Sequence, residues 1–410
     1  MVETDIANRK DLGRDLVIDG PKDGALRRVG VICDLIEERW PSMDLVADML
    51  LKNLRNDYSK ELSVARVQPR MAQWFGHIPK LGGVRVGFNA DRLINRFWHY
   101  PRLLREKRDQ FDIFHIIDHS YAHLALELPG ERTIITCHDL DAFRCLLDPS
   151  RDRRGRAFKA MTKRILDGFR KAALITCDSR ATRDELVKYS VVPPDRLTVV
   201  ANGVHPSCSI DPDPPGDAGA ERLLGPIGDG AIDILHVGSV IKRKRIDTLL
   251  EVFALVVKEF PQARLIRVGG QFTAEQEKMV EKLDLSRSIK VLPFIDRAVL
   301  AAVYRRAALV LQPSEGEGFG LPVVEAMACG APVIASDLAV LREVGGEAAL
   351  FCPVGDVEAW RKAVIGSLCE RAERPDKWGE RKAAGLMQAA RFSWAEYARK
   401  MAGLYSEILQ

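Results

Sequence analysis

The chain has 410 residues, 47% hydrophobic and 29% charged, an ordinary soluble balance with enough apolar material for two or three domains. A net charge of +4 is too small for a dedicated nucleic-acid binder. The eight cysteines, Cys33, Cys137, Cys145, Cys177, Cys208, Cys329, Cys352 and Cys369, form no CxxC pair and mostly sit in apolar runs, which excludes a disulfide framework or zinc site and favours reduced core thiols in the cytoplasm.

Residues 1–27 are rich in Asp, Arg, Lys and Gly, have no apolar core of a secretory signal, and read as a flexible leader. No run approaches the ~18 apolar residues of a membrane span. Residues 28–208 alternate short apolar runs with helix-period segments. Strands are expected at Val29–Cys33, Leu62–Val67, Phe111–Ile117, Thr133–Cys137, Ala173–Cys177 and Leu197–Ala201, with helices at Met43–Leu54, Phe158–Lys171 and Arg180–Tyr189 between them. Strands that are apolar nearly throughout belong to a parallel sheet covered on both faces. Their alternation with helices implies βαβ units.

Residues 209–230 contain the Pro/Gly/Asp-rich run Asp211–Gly219, which reads as a linker holding neither helix nor strand. The alternation resumes over 231–390, with strands at Ile232–Val237, Arg264–Val268, Ile289–Leu292, Ala308–Gln312 and Pro332–Ala335. Helices are expected at Ile246–Phe260, Thr273–Leu283, Arg297–Ala307 and Pro322–Cys329. Residues 391–410 read as an amphipathic helix expected to pack back on the first module. The expected architecture is α/β: two doubly wound Rossmann-like domains facing each other across a ligand cleft.

The stretch from Pro313 to Gly330 carries the most chemistry. A strand ends near Gln312 and a loop with Gly316, Gly318 and Gly320 follows. Pro322 suits the first helical position and Gly330 the position just past the helix end. Glycines let backbone approach a ligand, and the free N–H groups of a helix start favour an anion such as a diphosphate. Glu317 and Glu325 flank the loop, and a carboxylate suits the hydroxyl pair of a ribose or sugar. The alternative is a Gly-rich turn with two solvated carboxylates.

The pattern Glu-x7-Glu enclosing Gly-Phe-Gly-Leu-Pro, with Gln312-Pro313-Ser314 before it and Ala326–Gly330 after it, resembles the donor motif of the family 4 retaining glycosyltransferases. That resemblance implies the GT-B fold and a nucleotide-sugar donor. It implies that Glu317 contacts the donor sugar and Glu325 the ribose, with the backbone of Gly318, Phe319, Gly320 and Leu321 toward phosphate and sugar. The run Lys242-Arg243-Lys244-Arg245 resembles the family's phosphate-binding segment and puts the phosphate lysine at Lys244, with Arg243 a second candidate. Ser239 stands where many relatives have arginine, so a common phosphate contact is missing. Phe294 joins the donor side. A solvated basic turn is the alternative for Lys242–Arg245.

The resemblance also carries the family's strand-end histidine to His138, as a polar partner of a sugar hydroxyl, so the catalytic set is His138, Glu317 and Lys244. Asp118, His119 and Tyr121 form a strand-end cluster assigned to the acceptor side. Asp178-Ser179 and Asn202-Gly203-Val204 match family loops, with an N-cap and a turn as equal alternatives. No metal is expected. The Gly pair of many relatives is absent after the first strand, where Asp34–Asp44 stands instead.

The resemblance implies transfer of a hexose, with retention, from a UDP-, GDP- or ADP-sugar to a glycan or lipid-linked hydroxyl in polysaccharide or glycoconjugate synthesis. No other cofactor and no nucleic acid is implied. Three rivals stay open: a nucleotide-sugar epimerase or phosphorylase on the same architecture, a non-catalytic nucleotide-binding module, and a dinucleotide oxidoreductase, which should show a GxGxxG that Val29–Asp34 lacks. The basic runs Arg102–Arg108 and Arg151–Arg156 are either solvated helix faces or contacts to anionic lipid on the inner membrane face.

Overall fold

A computed structural model describes residues 26–75, 83–150, 152–226, 228, 230 and 232–410. The expected leader, 1–27, falls outside these residues except at its last two positions. The chain divides into two compact units, one reaching Val200 and including Trp394–Gln410, the other Ala201–Ser393.

The first unit is built on six parallel strands: β1 (Arg27–Ile32), β2 (Leu62–Val67), β3 (Ile113–Ile116), β4 (Thr133–Cys137), β5 (Leu174–Cys177) and β6 (Leu197–Val199). Their order is β2-β1-β3-β4-β5-β6. β3 and β4 are buried at every position, the signature of a sheet covered on both faces. Ile32, Phe114, Ile116, Ile135, Phe143, Phe169 and Ile175 belong to its core. The sequence is added to β1 on one side as β2 and on the other as β3, so the order reverses between β1 and β3. Ligands of such sheets bind at this reversal, outside the carboxyl ends of the strands.

The helix Trp394–Ile408 completes this unit. It buries Trp394, Tyr397, Ala398, Met401, Ala402 and Tyr405, a stripe at helical spacing. It packs on the helix Pro41–Asp57, and Tyr405 Oη lies 2.7 Å from Nδ1 of His115 on β3. The helices Gly83–Ile94 and Tyr100–Lys107 lie between β2 and β3, and the 3-10 run His119–Glu127 between β3 and β4.

The second unit repeats the plan with β7 (Ile232–Val237), β8 (Ala263–Val268), β9 (Ile289–Leu292), β10 (Leu309–Gln312), β11 (Val333–Ser336) and β12 (Leu350–Cys352). All pairings are parallel, in the order β12-β11-β10-β7-β8-β9. The reversal falls between β7 and β10. Its core gathers Ile234, Leu249, Phe253, Leu265, Leu311 and Trp360, each worth roughly 1.5–3 kcal/mol of burial.

The linker reading of 209–230 needs correction. Pro214–Leu224 is a helix of the second unit, packed on the helix Arg297–Arg306. Pro214 and Pro215 occupy the first turn, where proline's missing N–H has no helical partner to lose. The glycines serve close approach: a Cβ at Gly216 would stand 2.6 Å from the Ala298 carbonyl oxygen, and one at Gly219 2.5 Å from Val299 Cγ2. Gly225, with φ +78°, ends the helix. Composition read as breakers was the packing face. The unit boundary also falls at Val200/Ala201, ahead of the expected 208.

Candidate active site

At the reversal of the second unit, the loop after β7 and the loop after β10 meet. Lys242–Lys244 form a 3-10 turn, and Arg245 follows in left-handed backbone (φ 49°). That turn swings Lys244 inward while Arg245 faces Asp247 and Glu315 at 3.0 and 3.7 Å. Lys244 Nζ donates to Glu317 Oε1 at 2.6 Å, and both side chains are buried. Gln312 Nε2 and Ser314 Oγ donate to the same oxygen at 2.6 and 2.7 Å. Arg243 donates to the Gly316 carbonyl at 2.8 Å, with its guanidinium 3.8 Å from Glu317 Oε2. Burial opposes ionisation of Glu317, but Lys244, Ser314 and Arg243 outweigh it and hold the carboxyl below its usual range.

The glycine loop then enters the helix Leu321–Ala328 through Gly320, whose φ of 98° and ψ of 44° only glycine adopts freely. A Cβ there would also meet Leu341 Cδ2 at 2.7 Å. Pro322 sits in the first turn and Gly330 (φ 73°) lies past the end, as the sequence suggested. Pro322 brings no N–H to the first turn and Val323 N donates to the Gly320 carbonyl oxygen at 2.9 Å, so it is the positive end of the helix dipole that faces the loop. Phe319 is buried against Phe392, with ring centroids 5.6 Å apart, so its backbone is held in place.

Glu325 is buried one turn into this helix. Tyr304 Oη donates to its Oε2 at 3.1 Å. Burial pushes its pKa up to about 7, against the Tyr304 bond and the charge of Arg297. Tyr304 was invisible to motif reading, because it comes from another helix. Ser239 is half-buried just after β7. Phe294 is 70% exposed beyond β9. The structure thus brings Arg243, Lys244, Glu317 and the Gly318–Leu321 backbone together, with Glu325 on the same helix start.

In the first unit the residues at the β1/β3 reversal also cluster. His138, just after β4, is buried with both ring nitrogens engaged: Nδ1 lies 2.6 Å from Asp178 Oδ2 and Nε2 2.8 Å from the Ile117 carbonyl oxygen. Burial opposes the imidazolium, but the Asp178 carboxylate prevails and raises its pKa to about 9. Asp178 therefore touches the histidine and not a solvent-facing ligand position, while Ser179 caps the next helix through Thr182 N. The acceptor-side candidates are close by. Asp118 accepts from Ser120 N and Oγ at 2.7 and 2.6 Å. His119 lies 3.5 Å from Asp118 and 3.6 Å from Asp139. Tyr121 Oη donates to Glu38 Oε1 at 2.8 Å.

The loop that lacks the glycine pair is where the sequence reading missed most. Glu38 is buried and held by Tyr121, Trp40 Nε1 at 2.9 Å and Arg92 Nε at 2.7 Å. The Arg96 guanidinium lies 4.1 Å from the Tyr121 ring centroid. Asp34, buried just past β1, has no donor on either side-chain oxygen among the described residues. Burial, then Asp118 and Glu38, push its pKa well above the ordinary carboxyl range.

The basic run 102–108 is largely ion-paired: Arg102 with Glu106 at 3.3 Å and Arg105 with Glu127 at 2.6 Å. Of the second run, Arg151 lies outside the described residues and Arg154 pairs with Asp152 at 2.8 Å. Among the described residues, no helix is long and apolar enough to cross a membrane.

Residues 225–384 match the Glycosyl transferases group 1 model, and residues 62–207 match the Glycosyltransferase Family 4 model. The O-antigen chain mannosyltransferase B of Escherichia coli is 30% identical over 302 residues, 72% of this chain and 75% of that protein. A D-inositol 3-phosphate glycosyltransferase of Thermobispora bispora is 31% identical over 238 residues, 55% of this chain and 54% of that protein. The sucrose-phosphate synthase structure from Thermosynechococcus elongatus superposes with a TM-score of 0.72 at 19% identity, covering 93% of this chain and 99% of that one.

Proposed function

The chain belongs to glycosyltransferase family 4, with the GT-B fold, and on that premise we propose how its residues divide the work. It is a retaining hexosyltransferase that takes sugar from a nucleotide-sugar donor. In our reading mannose is the sugar and a growing glycan the acceptor, a choice supported by the Escherichia coli relative's name. The inositol phosphate enzyme's name keeps a polyol phosphate in the acceptor panel.

The observation that carries the donor assignment is the buried Lys244–Glu317 pair at the sheet reversal, beside a glycine loop running into a helix start. Three features suit a diphosphate: the positive end of the helix dipole at Leu321, Lys244, and Arg243. Glu325, offered only a long Tyr304 bond, suits the ribose hydroxyls. Glu317, held ionised, suits the sugar and fixes the Lys244 ammonium.

In the reaction the bond from C1 to the phosphate oxygen breaks and the acceptor oxygen bonds to C1 on the same face. The acceptor's proton passes to the leaving phosphate. Positive charge develops on the sugar ring and negative charge on the diphosphate, and preorganised cations at Lys244 and Arg243 stabilise the latter without a metal ion. His138, kept cationic by Asp178, adds fixed positive charge in the first unit. Asp118, His119 and Tyr121 form the acceptor side in this scheme.

A panel of UDP-, GDP- and ADP-sugars, with and without chelator, tests the proposal through nucleoside diphosphate release. Release from one donor is expected, with mannose preferred. Glu325→Ala and Lys244→Ala should each weaken nucleotide binding roughly tenfold or more. Unchanged affinity by calorimetry in both variants would sink the site assignment, and silence across the panel would sink the activity.

A further inference from the structure

Below the loop that holds Lys244, β7 and β8 run side by side with His236 opposite Arg267 in register. Arg267 is fully buried. Its Nη2 donates to the carbonyl oxygens of Gly238 at 2.8 Å and Gly269 at 3.4 Å, and its Nη1 to that of Gly270. The guanidinium lies 5.3 Å from the Phe272 ring centroid, and Nε has no partner among the described residues. Burial alone moves its pKa, down to about 10, and no carboxylate among the described residues offsets its charge. A buried guanidinium without a counter-ion is rare, because desolvation of the charge goes uncompensated.

The neighbouring groups sharpen this. His236 is fully buried, and neither ring nitrogen has a partner among the described residues. Burial, then Arg267 and Lys244, hold its pKa well below the usual value, so it stays neutral. A Cβ at Gly238 would stand 3.2 Å from His236 Cε1 and 3.7 Å from Lys244 Cδ. One at Gly269, where φ is +119°, would stand 2.2 Å from the Gly238 carbonyl oxygen. Arg267, His236, Gly238 and Lys244 therefore form one stack reaching from the sheet to the Lys244–Glu317 pair.

Two deficits lie in this stack. A buried cation lacks an anion, and the loop above it has Ser239, which carries no charge, directly after Gly238. We propose that Arg267 is a positioning residue for the donor diphosphate: it ties down the strand-end carbonyls of β7 and β8, and the bound diphosphate is the counter-ion that its charge awaits. The guanidinium acts through the loop and through its field, which is little screened in a buried site. This rests on the donor-site reading above.

The test is calorimetric titration of the full chain with the nucleoside diphosphate released in the donor panel, and with the matching nucleoside. The ratio of the two affinities isolates the phosphates. Arg267→Gln keeps a donor for the carbonyls and removes the charge. It should lower diphosphate affinity on the order of tenfold and leave nucleoside affinity unchanged, while Arg267→Lys keeps most of the ratio. His236→Asp places a carboxylate across the strand from Arg267, so the buried cation is paired inside the protein. It should reduce the ratio similarly without depending on the stability of the glutamine variant. An unchanged ratio in His236→Asp, or equal loss for both ligands in Arg267→Gln, overturns the proposal. Failure of the wild type to bind any nucleoside diphosphate overturns the donor reading instead.

Discussion

Glu325 and Glu317 are eight residues apart and face opposite electrostatic fates. Glu317 has Lys244, Ser314 and Gln312 on one oxygen, whereas burial raises the Glu325 pKa to about 7. A carboxyl with a raised native pKa holds its proton more tightly when folded. Stability is therefore lost as pH rises from about 4.5 through 7, by about 3 kcal/mol in total. Glu325→Gln should remove that slope. Melting curves from pH 4.5 to 8 should show the variant several degrees more stable at pH 8 and equal near pH 4.5. Parallel curves for the two proteins would show that Glu325 does not titrate in this window. The pair itself was legible from spacing, because a motif fixes which side chains leave one loop. What surrounds each carboxylate was not: Tyr304 and Lys244 arrive from other elements, and Arg267 reads in sequence as an ordinary polar residue of a strand.

At the scale of elements, the parallel strands were legible because burial on both faces keeps them mostly apolar, with isolated polar residues such as Arg66 in β2 and Asp233 and His236 in β7. β2, β4 and β7 fall at the residues the apolar runs mark. The helix Pro214–Leu224 was hidden because glycine and proline are ambiguous symbols. They break chains in solution, yet here proline starts the helix and glycine lets it lie close to Arg297–Arg306. This makes a discriminating substitution. In a linker, or on an exposed helix, Gly216→Ala would be neutral or stabilising by up to ~1 kcal/mol. With its Cβ aimed 2.6 Å from the Ala298 carbonyl oxygen, it should instead destabilise by roughly 1–3 kcal/mol. A urea midpoint that rises in this variant would contradict the packing described. The acid-rich loop after β1 was the least legible element, since its partners Arg92, Arg96 and Tyr121 lie far along the chain.

At the scale of the molecule, each unit has its own core. Calorimetry should resolve two transitions, with a saturating nucleoside diphosphate raising the one that contains Glu325, by about 2.7 kcal/mol at a hundredfold excess over Kd. Tyr405→Phe should lower only the other, by about 1–3 kcal/mol, because buried His115 loses its Nδ1 partner. A single transition that both changes shift alike would refute independent cores. The chain passes from the first unit to the second at Val200 and returns at Ser393, so the second unit is an insertion within the first. On the ribosome, the helix that carries Trp394 and Tyr405 is translated after every residue of the second unit. Vectorial folding therefore runs against the sequence: the second unit can be finished while the first still exposes the apolar surface that Trp394–Ile408 will cover. That nascent surface stays uncovered until the helix Trp394–Ile408 has been translated.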